Sequence, residues 1–227
     1  MAIINAIIFD FDGVLFDTEP LHCSMFQEVL QAEGMILTSD RYHEAYVGLT
    51  DEACFRAVLV DHRHTAVSTA TLDRLVQRKT DLMQRALRAR LPRLPGVMEF
   101  VSEAQMSHRL AIGSGALLQE IVLCLELAGM MHMFEHVTAA QDVSQGKPDP
   151  ALYLHALDAL NRRSPLRAGE CLVIEDTPHG IEAAHKAGMR CVGVATTLPA
   201  SRLAQADLVI PSLQALRADT LLAQLSQ

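Results

Sequence analysis

The chain has 227 residues, half of them apolar and a fifth charged, which is enough for one large domain or one domain carrying an insert. A net charge of −8 excludes the basic face of a nucleic-acid scaffold. No stretch reaches the roughly 18–20 consecutive apolar residues that cross a bilayer, and the amino terminus, without a basic region, runs directly into a strand-like segment; a cytoplasmic location is expected, with no membrane and no nucleic acid as partner.

The first element expected is a buried strand over residues 3–9, short and rich in β-branched residues. Residues 16–91 then carry helical periodicity and no strand. Leu21, Met25, Phe26, Val29 and Leu30 form one apolar face stopped by Gly34, and Leu72, Leu75, Val76, Leu82, Met83, Ala86 and Leu87 form another on a long helix. Leu91-Pro-Arg-Leu-Pro-Gly96 reads as a linker back to the first domain. Strands are expected at Leu110–Gly113, Val137–Ala140, Cys171–Ile174, Cys191–Ala195 and Leu208–Ile210, with helices near 96–106, 116–128, 150–161 and 178–188. That alternation predicts an α/β fold, a parallel sheet covered on both faces, and an all-helical insert after its first strand. The boundaries expected are 1–15 and 92–227 for the α/β domain and 16–91 for the insert.

Five cysteines without C-x-x-C spacing read as reduced core residues, and the ten scattered histidines suggest no zinc site. Lysine is scarce: Lys79, Lys147 and Lys186 are all the chain has. Each therefore invites a specific role.

Four short motifs carry chemistry. In Asp10-Phe-Asp12-Gly13, directly after the first strand, two carboxylates two residues apart point the same way, into the crevice where parallel sheets bind ligands. In Gly146-Lys147-Pro148-Asp149-Pro150, Asp149 suits a helix N-cap and Pro150 the first helical position. Lys147 then stands beside a positive helix end, which is sensible where an anion sits between them. Glu175-Asp176 adds two carboxylates at another strand end, and a hard divalent cation would relieve their repulsion. The alternative role for Asp176 is to cap the helix that follows, although Thr177 could cap it instead. Ser114 closes a strand and opens a helix, a placement suited to a phosphate oxygen.

Taken in this order, Asp-x-Asp-Gly, Ser, Gly-Lys-Pro-x-Pro and Glu-Asp resemble the signature of the haloacid dehalogenase superfamily over essentially the whole chain. The helical insert looks like that family's cap over a Rossmann-like core. Asp17-Thr-Glu-Pro-Leu-His22 and Ile174-Glu-Asp-Thr are similar to the β-phosphoglucomutase-like phosphatases. The resemblance implies a magnesium-dependent phosphatase for a small phosphorylated metabolite, of sugar-phosphate type. In it Asp10 is the nucleophile, Asp12 the acid and base, and Ser114 and Lys147 hold the phosphoryl oxygens. Asp10, Asp12 (through its carbonyl), Asp176 and Glu175 (directly or through water) would hold Mg2+. Dehalogenases resemble this fold but lack the second aspartate, and phosphonate-cleaving relatives need a cap lysine near Thr50 or Asp51, absent here.

Lys79 lies on the apolar stripe of its helix, and Arg78-Lys79 looks like the mutase's substrate-contacting pair, so Lys79 is expected to touch substrate. His22 matches a histidine of the same subgroup near the hinge. Val47-Gly-Leu-Thr50-Asp51 departs from the mutase pattern, with an acid where an arginine would clamp a distal phosphate. Thr50 and Asp51 are therefore either substrate contacts that disfavour a second phosphate or the capped start of a helix. A β-phosphoglucomutase-type mutase is the runner-up, and a non-catalytic binding protein on the same fold is a remote third. The chain is expected to be a monomer or a weak homodimer.

Overall fold

The computed structural model describes residues 3–63 and 67–225. Six strands form one sheet in the order β3-β2-β1-β4-β5-β6, every pair parallel. They are β1 (Ala6–Phe9), β2 (Arg109–Gly113), β3 (His136–Thr138), β4 (Cys171–Glu175), β5 (Arg190–Val194) and β6 (Leu208–Ile210). The central strand β1 reads Ala-Ile-Ile-Phe and is buried at every position. It has no solvent face, which is why its sequence does not alternate. Each such Ile or Phe contributes about 1.5–3 kcal/mol on burial.

Between β1 and β2 come α1 (Glu19–Ala32), α2 (Ser39–Ala45), α3 (Asp51–Arg63), α4 (Thr69–Ala89) and α5 (Val97–Ala104). Helices α6 (Leu118–Ala128), α7 (Ala151–Asn161) and α8 (Pro178–Lys186) alternate with the later strands, and α9 (Ala218–Leu225) closes the described chain. Two apolar clusters cover the two faces of the sheet, one around Ile7, Phe9 and Ile112, the other around Ile8, Val173 and Ile181. A third cluster, with Phe26, Phe55, Leu59 and Leu72, belongs to α1–α4 alone. Met83 and Leu87, near the end of α4, pack into the sheet's cluster instead, so this helix bridges the cap bundle and the core.

Several expected boundaries shift. The first strand begins at Ala6, because β2 and β4 pair with it only from Arg109 and Cys171 onward; Ile3 is 78% exposed. The third strand ends at Thr138, and Ala140 starts a short 3-10 turn. Helix α7 starts at Ala151, with Pro150 and not Asp149 at the N-cap position; Asp149, one residue further out, accepts from Ala151 N at 2.9 Å. Ser114 does not open a helix. Its hydroxyl accepts from Ala116 N at 3.1 Å, and α6 starts only at Leu118, whose N–H donates to Gln141 Oε1 at 3.2 Å. None of the described helices is long and apolar enough to cross a membrane.

Candidate active site

The chain runs outward from β1 through β2 to β3, then crosses to the other side of β1 for β4. The carboxyl ends of β1 and β4 thus flank the switch point at which open α/β sheets bind ligands. Phe9 pairs with Ile112 of β2 and Ile174 of β4, so Asp10, Ser114, Glu175 and Asp176 emerge together at one rim. Asp10 N donates to Ile174 O at 2.9 Å and Ser114 N to Thr138 O at 3.0 Å, which pins both backbones to the sheet. Gly13 turns the chain just after Asp12 with φ +70°, and a Cβ there would collide with the Asp176 carboxylate and the Thr197 hydroxyl.

Lys147 reaches the rim from the loop before α7. Its Nζ lies 2.8 Å from Asp10 Oδ1 and 2.5 Å from Glu175 Oε1. Glu175 is fully buried, and both its oxygens are occupied. Oε1 also accepts from the Tyr153 hydroxyl at 2.9 Å, while Oε2 accepts from the N–H groups of Asp176 and Thr177 (2.8 Å each) and the Thr177 hydroxyl (2.9 Å). Thr177, not Asp176, caps α8, accepting from Gly180 N at 3.2 Å.

Oxygens of Asp10, Glu175 and Asp176 lie within 4.8 Å of one another. Among the described residues Lys147 is the one cation paired with them, so the charge does not balance. Burial pushes the Asp10 carboxyl up to about 7, with Glu175 and Asp12 adding to the rise against Lys147. Burial, then Glu175 and Asp10, push Asp176 well above the usual range. Glu175 also feels burial, but Lys147 and the Thr177 and Tyr153 donors hold it below that range. Asp176 Oδ1 is buried with no partner among the described residues. An all-oxygen, over-acidic cluster with an orphaned oxygen fits a hard divalent cation.

Asp12 sits beside this cluster and differs from it. Burial raises its carboxyl too, but His22, the Thr18 hydroxyl and Lys79 outweigh that and hold it low. Thr18 donates to Asp12 Oδ1, and His22 Nε2 lies 3.4 Å from the same oxygen. On the other edge of its ring, His22 Nδ1 accepts from Lys79 Nζ at 2.7 Å. Lys79 Nζ in turn lies 2.6 Å from Asp51 Oδ1 and 4.8 Å from the centre of the Phe26 ring. A continuous polar chain therefore runs from Asp12 in the core through His22 and Lys79 to Asp51 in the cap.

This places Lys79 differently from the expectation that it touches substrate. It is fully buried, its ammonium is taken up by Asp51 and His22, and it does not line the cleft over Asp10. Burial alone would depress Lys79, but Asp51 and Glu120 outweigh it and keep the side chain charged. Thr50 and Asp51 do open α3, Thr50 Oγ1 accepting from Ala53 N at 3.3 Å. Asp51 also lines the cleft, with Glu19, His22, Phe26, Tyr42 and Leu49 as its companions from the cap.

Sequence reasoning missed Tyr153, Thr18 and Glu120. Glu120, in α6, is 2% exposed and its Oε1 has no partner among the described residues; Lys79 and His22 are its electrostatic neighbours. A lone acid among Ile121, Cys124, Leu125 and Ala128 on the buried face of the Leu118–Ala128 helix was the available signal. Gly180 was missed as well. A Cβ there would fall on the Glu175 carboxylate. Gly180→Ala is therefore expected to destabilise the fold by about 1–3 kcal/mol or more and to remove most activity by displacing Lys147. Urea unfolding and turnover measured together check this; wild-type values for both would refute it.

The fold and this cluster of carboxylates with one lysine agree with what known proteins show: several relatives are named phosphatases of one family, which makes the chain a hydrolase of phosphoric monoesters. The sequence matches the haloacid dehalogenase-like hydrolases over residues 7–194, and the chain belongs to that family. It is 30% identical over 198 residues to a phosphorylated carbohydrates phosphatase of Thermotoga maritima, covering 86% of this chain and 87% of that one. It is also 30% identical over 191 residues to a fructose-1-phosphate phosphatase of Escherichia coli, covering 83% and 95%. Among solved structures, a β-phosphoglucomutase from Clostridium difficile superposes with a TM-score of 0.88 over 99% of this chain and 98% of that one; at 21% identity this is a likeness of fold.

Proposed function

We propose that the protein hydrolyses a small phosphorylated metabolite of the sugar-phosphate type through an aspartyl-phosphate on Asp10, with Mg2+ as cofactor. The observation that carries this reading is the pairing, at one strand end, of two carboxylates in opposite electrostatic states. Asp10 lies in the over-acidic cluster against Lys147, while Asp12 is held low by its own donors.

Asp10 attacks phosphorus and the alcohol leaves, taking a proton from Asp12; Asp12 then removes a proton from the water that cleaves the acyl phosphate, and Asp10 is regenerated. Asp12 must first be protonated. His22, Thr18 and Lys79 all favour its charged form, so they suit the second step, in which it acts as base. Lys147 and Ser114 would hold the phosphoryl oxygens, where most of the stabilisation arises. Asp10, Asp176 and the Asp12 carbonyl would hold Mg2+, with Glu175 acting through water and through its grip on Lys147. Bound there, the ion would supply charge neutralisation for the transferring group.

The names of the phosphatase relatives support a phosphorylated carbohydrate as substrate. A mutase must retain a bisphosphate, which calls for cations in the cap. Among the described residues, the cap side of the cleft includes two acids, Glu19 and Asp51, and no lysine or arginine. Net hydrolysis is therefore expected over isomerisation. The test is a panel of phosphorylated metabolites read by released phosphate. Turnover should vanish on exhaustive chelation, return with Mg2+, return in part with Mn2+ or Co2+, and be inhibited by Ca2+. Full activity after chelation would remove the metal role, and isomer forming faster than phosphate from a hexose 1-phosphate would favour the mutase.

A further inference from the structure

Lysine carries its charge on a flexible four-carbon stem, so an ammonium that must face a phosphoryl group has to be held by its surroundings. Lys147 is held on three sides. Asp10 Oδ1 lies 2.8 Å from its Nζ and Glu175 Oε1 2.5 Å. The third side is the ring of Tyr153, whose centre is 5.4 Å from Nζ, within the range of a cation–π contact. Tyr153 stands in the first turn of α7, the helix that follows the Lys147 loop, so one segment carries both residues. Its ring is fully buried and wedged against β2: a Cβ added to Gly113 would stand 3.1 and 3.2 Å from two of its carbons. Ile8, Ala111, Ala156 and Leu157 share its apolar cluster. A phenylalanine would satisfy that packing, which leaves the hydroxyl to be explained. It donates to Glu175 Oε1 at 2.9 Å, the same oxygen that accepts from Lys147, and Tyr153 does not line the cleft over Asp10.

We propose that Tyr153 is a positioning residue: by sharing Glu175 Oε1 with Lys147, it limits that oxygen's hold on the ammonium and leaves Lys147 aimed at the phosphoryl group. The inference rests on the phosphatase reading above, in which Lys147 takes phosphoryl oxygens. Two positive donor hydrogens on one oxygen repel each other and each neutralises part of its charge, so each is held less tightly than it would be alone. Glu175 has no other way to spread that charge. Its Oε2 already accepts from Asp176 N, Thr177 N and the Thr177 hydroxyl, and the Gly180 backbone closes in the carboxylate. Without the phenol, Oε1 falls to Lys147 alone and draws the ammonium toward Glu175, away from Asp10 and from a phosphoryl oxygen beside it. The ring and the hydroxyl thus do different things: the ring limits where Nζ can go, and the hydroxyl sets how strongly Glu175 pulls on it.

The experiment uses the full chain with Mg2+ and inorganic phosphate as the probe, titrated by calorimetry. Tyr153→Phe removes the hydroxyl and keeps the ring. Its Kd for phosphate should rise about tenfold, and KM for acetyl phosphate by a similar factor. A hydroxyl that served the fold alone would lower the melting temperature when removed and leave Kd and KM where they were. Unchanged or tighter phosphate binding by the folded variant overturns the positioning role and leaves the phosphatase reading standing. A second measurement needs no substitution at Tyr153. The chain has three tyrosines, so labelling with ring-13C tyrosine gives three Cζ signals, and Tyr42→Phe and Tyr46→Phe identify that of Tyr153 by elimination. This signal should move as phosphate is added, because Lys147 turning toward phosphate leaves more of Oε1 to the phenol. A Tyr153 signal that stays in place at saturating phosphate overturns the proposal. Wild-type protein that neither binds phosphate nor turns over acetyl phosphate overturns both readings.

Discussion

Asp10→Asn is expected to give a folded protein without measurable phosphatase turnover. The amide keeps the size and most contacts of the carboxylate but cannot attack phosphorus, so kcat should fall by at least three to four orders of magnitude, or about 4–5 kcal/mol of barrier. Stability should move the other way in metal-free protein. The Asp10 carboxyl binds its proton more tightly folded than unfolded, its value rising from the ordinary 3.8 to about 7. Such a group costs stability progressively as pH climbs through that interval, and the cost is complete above it. A neutral amide removes it, so Asp10→Asn should melt higher than wild type at pH 8 in chelator, and the gap should close as pH falls toward 4. Near-wild-type turnover in the folded variant would sink the nucleophile assignment. A lower melting temperature at pH 8 would instead show that pairing with Lys147 outweighs the crowding of carboxylates.

The parts of this site that were legible in the sequence are those that strands place. Asp10, Asp12, Ser114, Glu175 and Asp176 each follow a short apolar run, and a parallel sheet aligns the carboxyl ends of such runs whatever lies between them. Lys147 was legible for a different reason: Asp149 and Pro150 mark a helix start, and lysine is rare in this chain. What could not be read were partners fixed by docking of the cap. Lys79 meets His22 across 57 residues and Asp51 across 28, and no local pattern encodes either distance. On an apolar stripe, a lysine that snorkels outward and one that turns inward to an acid look the same. Glu175 was similarly half-legible. Its position at a strand end was visible, but its five donors come from Lys147, Tyr153 and the turn after β4, so its hold on the lysine emerged only from the fold.

Lys79→Met is expected to destabilise the protein by about 3–5 kcal/mol, because it leaves Asp51 as a buried charge without its partner. In a domain of this size that lowers the melting temperature by on the order of 10 °C. Lys79 has no exposed surface and the Asp51 side chain is 11% exposed, so solvent screens only a small part of the loss. Methionine fills most of the same volume, which keeps a cavity from accounting for the effect. The double variant Lys79→Met/Asp51→Leu separates the two roles open to this lysine. If Lys79 is a strut between Asp51 and His22, removing both charges restores most of the lost stability, since a buried ion pair replaced by apolar groups is often neutral or better. The coupling energy between the two positions should then be large and favourable. If Lys79 instead binds substrate, the single variant should melt near wild type and raise KM, and the second substitution should rescue nothing. The strut has a catalytic signature as well. An ammonium can only donate, so Nδ1 of His22 accepts from Lys79 and the ring's one proton sits on Nε2, facing Asp12. Without that donor the ring can place its proton on either nitrogen, and Asp12 loses part of what holds its carboxyl low. In the double variant, then, stability should return while kcat stays depressed and the acid limb of the pH–rate profile moves up. A double variant that recovers stability together with wild-type kcat and an unshifted profile would confine Lys79 to a packing role and disconnect the cap from Asp12.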